Sequence, residues 1–548
     1  MVTPPVSAFT TRRYVSFFET HRTEPLPPPE ILEGFFRYTS GRWLYDEDRR
    51  MKKRYLKFNV QGLLDAVSEA LQSRCVGITK LPEGQYNKVF LMQMENGTEI
   101  LVRMPNPNAG HPRAIVASEV ATLDFLRNSL KLPVPEVKGW SWCIPARDQV
   151  GSDYILMKKV PGQQLTKVWP TMSEAQRFEL VKEIVNVEAR LLAGNPLNYG
   201  SLYYRGDTSA PLAAMDPALP EAEASKFVIG PIADRAFWME GRHELNLDRG
   251  PWKTALNFMR AVANREISCI RASTSSDTSD DGSWLPGRAH ACPERHIGLL
   301  QQFLTVLPYI LPSRDASCPA LLHNDLHSDN IFVDKNDPSK LTGIIDWQAA
   351  YIAPLFLQAR IPAVFDYDYA YPWGGDQPKL PEDFHKLPLP MRKEAIQQLE
   401  RQRLKKQYEL TTRNLNPRLA RAMDEIEVRD DPTSSIFHVV GNISINGPIA
   451  LQELLIQIYE KWDLIAARRR IRVPCPLTFT EEEIRQARQT AKEWTDAYNE
   501  FETLRSELLG KDGWVSHENF EEARRRFEAQ RGQLEDRWKR LVDVTRAL

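Results

Sequence analysis

No run of about 18 consecutive apolar residues occurs in this chain of 548, so the sequence predicts no membrane-spanning helix. Net charge is nearly absent: 71 Lys and Arg stand against 72 Asp and Glu. That balance removes any electrostatic argument for nucleic acid or an anionic membrane as the main partner. Cysteine is scarce. The six residues (Cys75, Cys143, Cys269, Cys292, Cys318 and Cys475) form no CxxC pair, and free thiols in a reduced compartment are the simplest reading. Histidine is scarce too, ten in all, and eight are scattered away from the pair His323 and His327. A transition-metal site built on His323, Asp325 and His327 would lack its further ligands. The remaining composition, 42% hydrophobic and 26% charged, is that of a globular protein with room for two or three packed units.

One stretch carries chemistry: HNDLHSDN at 323–330, followed by IFVD and then GIID at 343–346. Phosphoryl transfer needs a carboxylate to orient or deprotonate a hydroxyl. It also needs two oxygen ligands to hold Mg²⁺ against nucleotide phosphates. Asp325 fits the first role, and Asn330 and Asp346 fit the second. The spacing has a physical reason. Residues 331–334 read as a strand, 335–340 as turn chemistry and 341–345 as a second strand. An antiparallel hairpin centred near Pro338 sets residue 331 opposite 345 and residue 333 opposite 343. Asn330 and Asp346 then emerge side by side at the open end, about 4.5–5.5 Å apart. His323 reads as a structural histidine bracing the loop. His327 and Asp329 stay open between loop hydrogen bonding and contact with substrate or phosphate.

Upstream, the order is strand, glycine turn, strand, hairpin, strand, helix and strand. A helix is expected over 63–76 and strand pattern over 78–105. The turn EGQYNK at 83–88 contains Gly84 and Asn87. The strands continue over 89–94 and 99–103, joined at Asn96-Gly97, a strong hairpin dipeptide. A helix follows over 114–128 and a strand over 154–157. Gly84 would cover nucleotide phosphates with backbone N–H groups. Arg103 lies where a cation should meet the α- and β-phosphates, and Glu119 on the next helix is placed to pair with it. Residues 157–160, with Met157 and Lys159, would form a hinge offering backbone groups to an adenine.

The second lobe is expected to open near Pro170 with a capping box from Thr171 to Glu174. Residues 200–260 read as irregular, 273–283 as an exposed polar loop and 297–310 as an apolar helix. The aromatic stretch 347–370 should close the core beside the site. Beyond Met391 the chain reads as charged helix. The stripe Phe520, Ala523, Phe527, Leu534, Trp538 and Leu541 reads as a face packing on the second lobe, with a partner-binding helix as the alternative.

These residues resemble those of the aminoglycoside-phosphotransferase and choline-kinase-like enzymes. The likeness rests on the HxDLHxxN pattern at 323–330 and IDW at 345–347. Four further stretches are similar to the fungal altered inheritance of mitochondria protein 9 group: 35–54, 83–105, ASEVATLDFLR at 117–127, and 227–252 ending in DRGPW. The resemblance implies an α+β, two-lobed, protein-kinase-like fold with a small antiparallel-sheet lobe and a large, mainly helical lobe. It implies four segments: a leader over 1–70, lobes over 71–165 and 166–375, and a helical C-terminal extension over 376–548. It implies ATP and Mg²⁺ as cofactors, Asp325 as base, Asn330 and Asp346 as metal ligands, and a small-molecule acceptor of unknown identity. Arg103 departs from the family's strand lysine; it keeps the charge but with different geometry. Gln348 replaces an acid. A second reading therefore stands beside the enzyme: a nucleotide-binding scaffold whose C-terminal helices contact a protein partner. The basic, acid-free residues 1–18 are compatible with a mitochondrial presequence. A disordered tail on a cytoplasmic protein is the alternative.

Overall fold

The structure, a computed structural model, describes residues 29–141, 149–194, 196–207, 213–214, 225–274, 293–366, 371–427 and 431–546. The presequence-like segment and most of the 273–283 loop lie outside the described residues; Ser273 and Thr274 end a helix.

Period-two alternation builds the smaller lobe. Short helices α1 (Pro29–Phe36) and α2 (Glu47–Arg54) precede α3 (Val60–Leu71). Five strands follow, with α4 (Pro112–Asp124) between the third and fourth. They are β1 (Cys75–Lys80), β2 (Asn87–Met94), β3 (Glu99–Pro105), β4 (Val137–Ser141) and β5 (Tyr154–Lys158). They form one antiparallel sheet in the order β1-β2-β3-β5-β4. β2 and β3 turn at Asn96-Gly97, where Gly97 adopts φ 80°, and pair Phe90 with Val102 and Val89 with Arg103. One sheet face carries Phe90, Met92, Ile100, Val102 and Met104 into a core shared with α3. The other packs Ile155 and Met157 against Val116 and Val120 of α4.

The leader belongs to this lobe. Phe35, Phe36 and Phe58 join the first core, and Phe35 and Phe58 each meet the Phe90 ring at 5.5 Å. Three local expectations change. The helix expected over 63–76 starts earlier and stops at Leu71, because from Cys75 the chain is paired into β1. Strand β4 enters between the expected helix and the strand over 154–157, where no element was expected; its ladder with β5 supplies the order. The helix expected over 114–128 begins at Pro112, whose fixed φ suits a first helical turn, and leaves α geometry at Phe125–Ser129.

The larger lobe opens with α5 (Glu174–Ala193). The capping box that starts it is Ser173 with Gln176, not Thr171 with Glu174, because Thr171 already ends a 3-10 turn. Val181, Ile184 and Val185 of α5 are buried in the core that also takes α6 (Ala255–Thr274) and α7 (Pro293–Ile310), which pack on each other. The region read as irregular holds antiparallel strands Ser201–Tyr204 and Phe227–Gly230. Trp347, Phe356 and Phe365 enter the core.

Packing does not break at residue 376. Tyr408 of α8 (Leu389–Leu415), Phe437 and Leu455 share the core of the larger lobe. What stands apart is the helical hairpin of α9 (Glu481–Leu509) and α10 (Phe520–Arg546). The stripe Phe527, Leu534 and Leu541 packs on Phe501, Leu504 and Leu508 of α9, not on the larger lobe as expected. The hairpin tip returns to the leader: Trp514–Val515 pairs antiparallel with Arg42–Trp43.

Candidate active site

Three strands position the candidate catalytic motif: β6 (Gln163–Gln164), β7 (Ile331–Val333) and β8 (Leu341–Ile344), with β7 central and both pairings antiparallel. The register differs from the expected one by one residue at Ile331 and by two at Val333. Ile331 lies opposite Ile344 and Phe332 opposite Gly343; after a bulge, Val333 faces Leu341. The Asp334 side chain tightens the turn by accepting from Asn336 N (2.8 Å) and Asp337 N (3.0 Å). Gly343 is required where it stands, since a Cβ there would collide with Val160. Pairing then continues past the strands, with Ile345 N donating to Asn330 O at 2.9 Å. Asp346 therefore follows the residue facing Asn330, and it adopts a left-handed φ of 62°. A non-glycine residue there carries strain that clusters at functional sites.

The loop before β7 is braced from within. His323 Nδ1 accepts from Asp325 N (3.1 Å), which leaves Nε2 to donate to Ile345 O (2.9 Å). Its ring meets Trp347 edge-on, and burial keeps the imidazole below its ordinary pKa, hence neutral. Asn330 Nδ2 donates to Asp325 O (3.0 Å) and lies 3.2 Å from His327 Nε2. These contacts leave its side-chain oxygen uncommitted. Asp325 itself projects outward with its side chain 75% exposed. His327 lies between Asp325 (3.6 Å) and Asp329 (3.5 Å).

Across the cleft, Arg103 on β3 forms a buried ion pair with Glu119 on α4 and reaches Asp346 Oδ1 at 3.4 Å. Desolvation pushes the guanidinium down to about 10, opposed by Asp346 and assisted by Arg235. Gly84 is exposed, with open space where a Cβ would stand, room that suits a phosphate. Asn87 is used otherwise than expected: its Nδ2 donates to Gln348 Oε1 at 2.8 Å. That ties β2 to the segment after Asp346 and gives the departure at Gln348 a structural use. Met157 is buried in the ladder opposite Leu101 and Val137. Lys159 is not brought to the cluster; its ammonium pairs with Glu99 (3.0 Å) at the start of β3.

The structure thus joins Arg103, Glu119 and Asp346 in one network and Asn330 with Asp325 in one loop. Mg²⁺ fits the hard oxygen donors of Asn330 and Asp346. A cavity of about 450 Å³ adjoins Asp346, lined also by Asp325, Arg235 and Arg360 with apolar Phe237 and Met259. Its size suits a small molecule. Sequence reading missed Arg235 and Arg360, for no local pattern distinguishes them from surface arginines.

A model of the phosphotransferase enzyme family matches residues 77–243 and 270–357. A subtelomeric hrmA-associated cluster protein of Aspergillus fumigatus is 31% identical over 498 residues, covering 82% of this chain and 92% of its own. Altered inheritance of mitochondria protein 9, mitochondrial, of Yarrowia lipolytica is 23% identical over 528 residues, covering 89% and 86%. Among solved structures, a macrolide 2′-phosphotransferase type I has a TM-score of 0.32 at 13% identity, covering 73% of this chain and 98% of its own.

Proposed function

The chain belongs to the phosphotransferase enzyme family, and from that premise we propose that it uses ATP and Mg²⁺ to phosphorylate a hydroxyl group of a small molecule. The observation that carries this reading is the Arg103–Glu119 pair, held so that Arg103 also reaches Asp346. A cation fixed by a helix carboxylate beside a metal-binding carboxylate is what nucleotide phosphates require.

In this reading Asp325 accepts the proton of the acceptor hydroxyl; its exposed carboxylate suits contact with a diffusible substrate. Asn330 and Asp346 hold Mg²⁺, which when bound neutralises phosphate charge. Arg103 contacts the α- and β-phosphates, and Glu119 keeps it in place. The turn at Gly84 closes over the phosphates, while Asn87 holds that turn to Gln348. Met157 and Lys159 mark the hinge edge offered to adenine. The relatives named mitochondrial favour that compartment, with the cytoplasm as the alternative.

One departure favours the scaffold reading: Arg103 stands where the family carries its strand lysine, with a different geometry toward phosphates. Thermal unfolding with Mg–ATP, wild type beside Asp346→Ala and Asp325→Ala, separates the two. A ligand at 100 times its dissociation constant stabilises by about 2.7 kcal/mol. We expect a shift in wild type and Asp325→Ala and none in Asp346→Ala. ADP release with a panel of sugars and amino alcohols should occur in wild type alone. Binding without release in any sample would favour the scaffold; no shift in wild type would sink both.

A further inference from the structure

Arg235 has no task in that reading, yet it is the most tightly positioned free cation of the cleft. It begins a 3-10 turn (Arg235–Phe237) capped by Asp234, whose carboxylate accepts from Ala236 N at 3.1 Å. Its guanidinium lies 3.7 Å from the centre of the Tyr86 ring, in the turn that follows Gly84. It donates to Gln348 Oε1 at 3.1 Å, the same oxygen that accepts from Asn87. It therefore touches both lobes where they meet, and it lines the cavity shared with Asp325 and Asp346.

What it lacks is a counter-charge. Arg103 has Glu119 and Asp346, and Arg265 in the same cavity wall has Glu266 at 3.0 Å. Among the described residues Arg235 forms no ion pair within 4 Å, and its Nε is buried without a hydrogen-bond partner. Arg103 reaches Asp346 and Arg235 reaches Gln348, so the two guanidiniums converge on one short segment. Holding a half-buried cation near another cation is unfavourable unless an anion occupies the space between them. Arg360 also lines the cavity but is exposed and donates to the Asn324 carbonyl.

We propose that Arg235 is a catalytic residue that binds the γ-phosphoryl group of the nucleotide and neutralises the charge it carries during transfer; this rests on the phosphotransferase reading above. In the step, the bond from γ-phosphorus to the bridging oxygen of ADP breaks and a bond to the acceptor oxygen forms. The acceptor proton passes to Asp325. Arg235 keeps its protons throughout and donates hydrogen bonds to the transferring oxygens. Tyr86 and Gln348 are positioning residues that hold the guanidinium between the lobes.

The test is calorimetric binding of Mg–ADP and of the magnesium complex of AMPPNP, a non-hydrolysable ATP analogue, to the full chain. Wild type should prefer the triphosphate analogue by about tenfold, equivalent to 1.4 kcal/mol. Arg235→Ala should lose that preference with its ADP affinity unchanged, and Arg235→Lys should regain part of it. Arg235→Gln, which can still donate to Gln348, serves if the alanine variant does not fold. An unchanged preference in the variants, an equal loss of both ligands, or no preference in wild type would each overturn the assignment. Wild type binding neither nucleotide would overturn the phosphotransferase reading itself.

Discussion

Lys88 and Arg103 stand on neighbouring strands one register position apart, yet they face opposite sides of the small sheet. Lys88 is wholly buried. It pairs with Glu83 at 2.5 Å and donates to Arg37 O at 3.1 Å. Glu83 also takes Lys80 (2.8 Å) and Thr39 N (2.8 Å), and its own N–H donates to Ser40 Oγ at 2.6 Å. Every partner on that face is protein, and the network closes on the leader. Arg103 is nearly as buried, but its network ends on Asp346, whose side chain is 43% exposed to the cavity. The two cations are alike in charge and depth. They differ in whether the last partner is satisfied internally or open to a ligand. A closed network holds the fold; an open one is available for chemistry.

That contrast can be broken most forcefully from the closed side. Lys88→Ala leaves Glu83 buried and short of its main partner, and should cost about 3–5 kcal/mol in denaturant unfolding. Lys88→Met combined with Glu83→Gln should cost much less, because no bare charge remains. Equal losses in the single and double variants would show that shape, not charge, holds the leader.

Glu188 sharpens the comparison as a buried carboxyl with no cation paired to it among the described residues. Burial pushes it up to about 8, and Tyr408 donates to it at 2.8 Å. Its folded pKa lies above the unfolded one, so the stability it contributes is complete below the unfolded value. It is lost as pH rises through about 8. Glu188→Gln should therefore melt higher than wild type at pH 8, by on the order of a few kcal/mol in stability. The gap should close toward pH 4.5; a gap independent of pH would exclude the titration.

The smallest effect is expected on the open side. Arg103→Lys keeps the charge and the Glu119 pairing but loses the fork that reaches Asp346. Unfolding should change by less than about 1 kcal/mol, while Mg–ATP affinity falls about tenfold. A large stability loss with unchanged affinity would place Arg103 in the same class as Lys88.

Much of this was legible in the linear chain because it is local. The hairpin carrying Asn330 and Asp346 follows from two short strands around turn residues; only its register slips, by two residues at the turn, and a bulge that no alternation reveals takes back one of them. Arg103 and Glu119 follow from strand and helix order. The capping box at α5 was readable in kind but displaced by two residues, because TMSEAQ offers two overlapping solutions and the preceding turn decides. Strand β4 was not legible, since VKGWS has too weak a pattern to declare itself without β5 beside it.

By itself, the sequence determined the elements and the chemistry that each one carries. Periodicity, turns and caps arise from residues a few positions apart. Only the tertiary structure decided which charges meet. The Asn87–Gln348 contact spans 261 positions and the bond from Trp514 to Tyr38 spans 476. Such pairings emerge when whole faces pack, and no local pattern encodes their partner. That is why Arg235 looks like one arginine among many along the chain and like a cleft cation without an ion pair among the described residues once the lobes are in place.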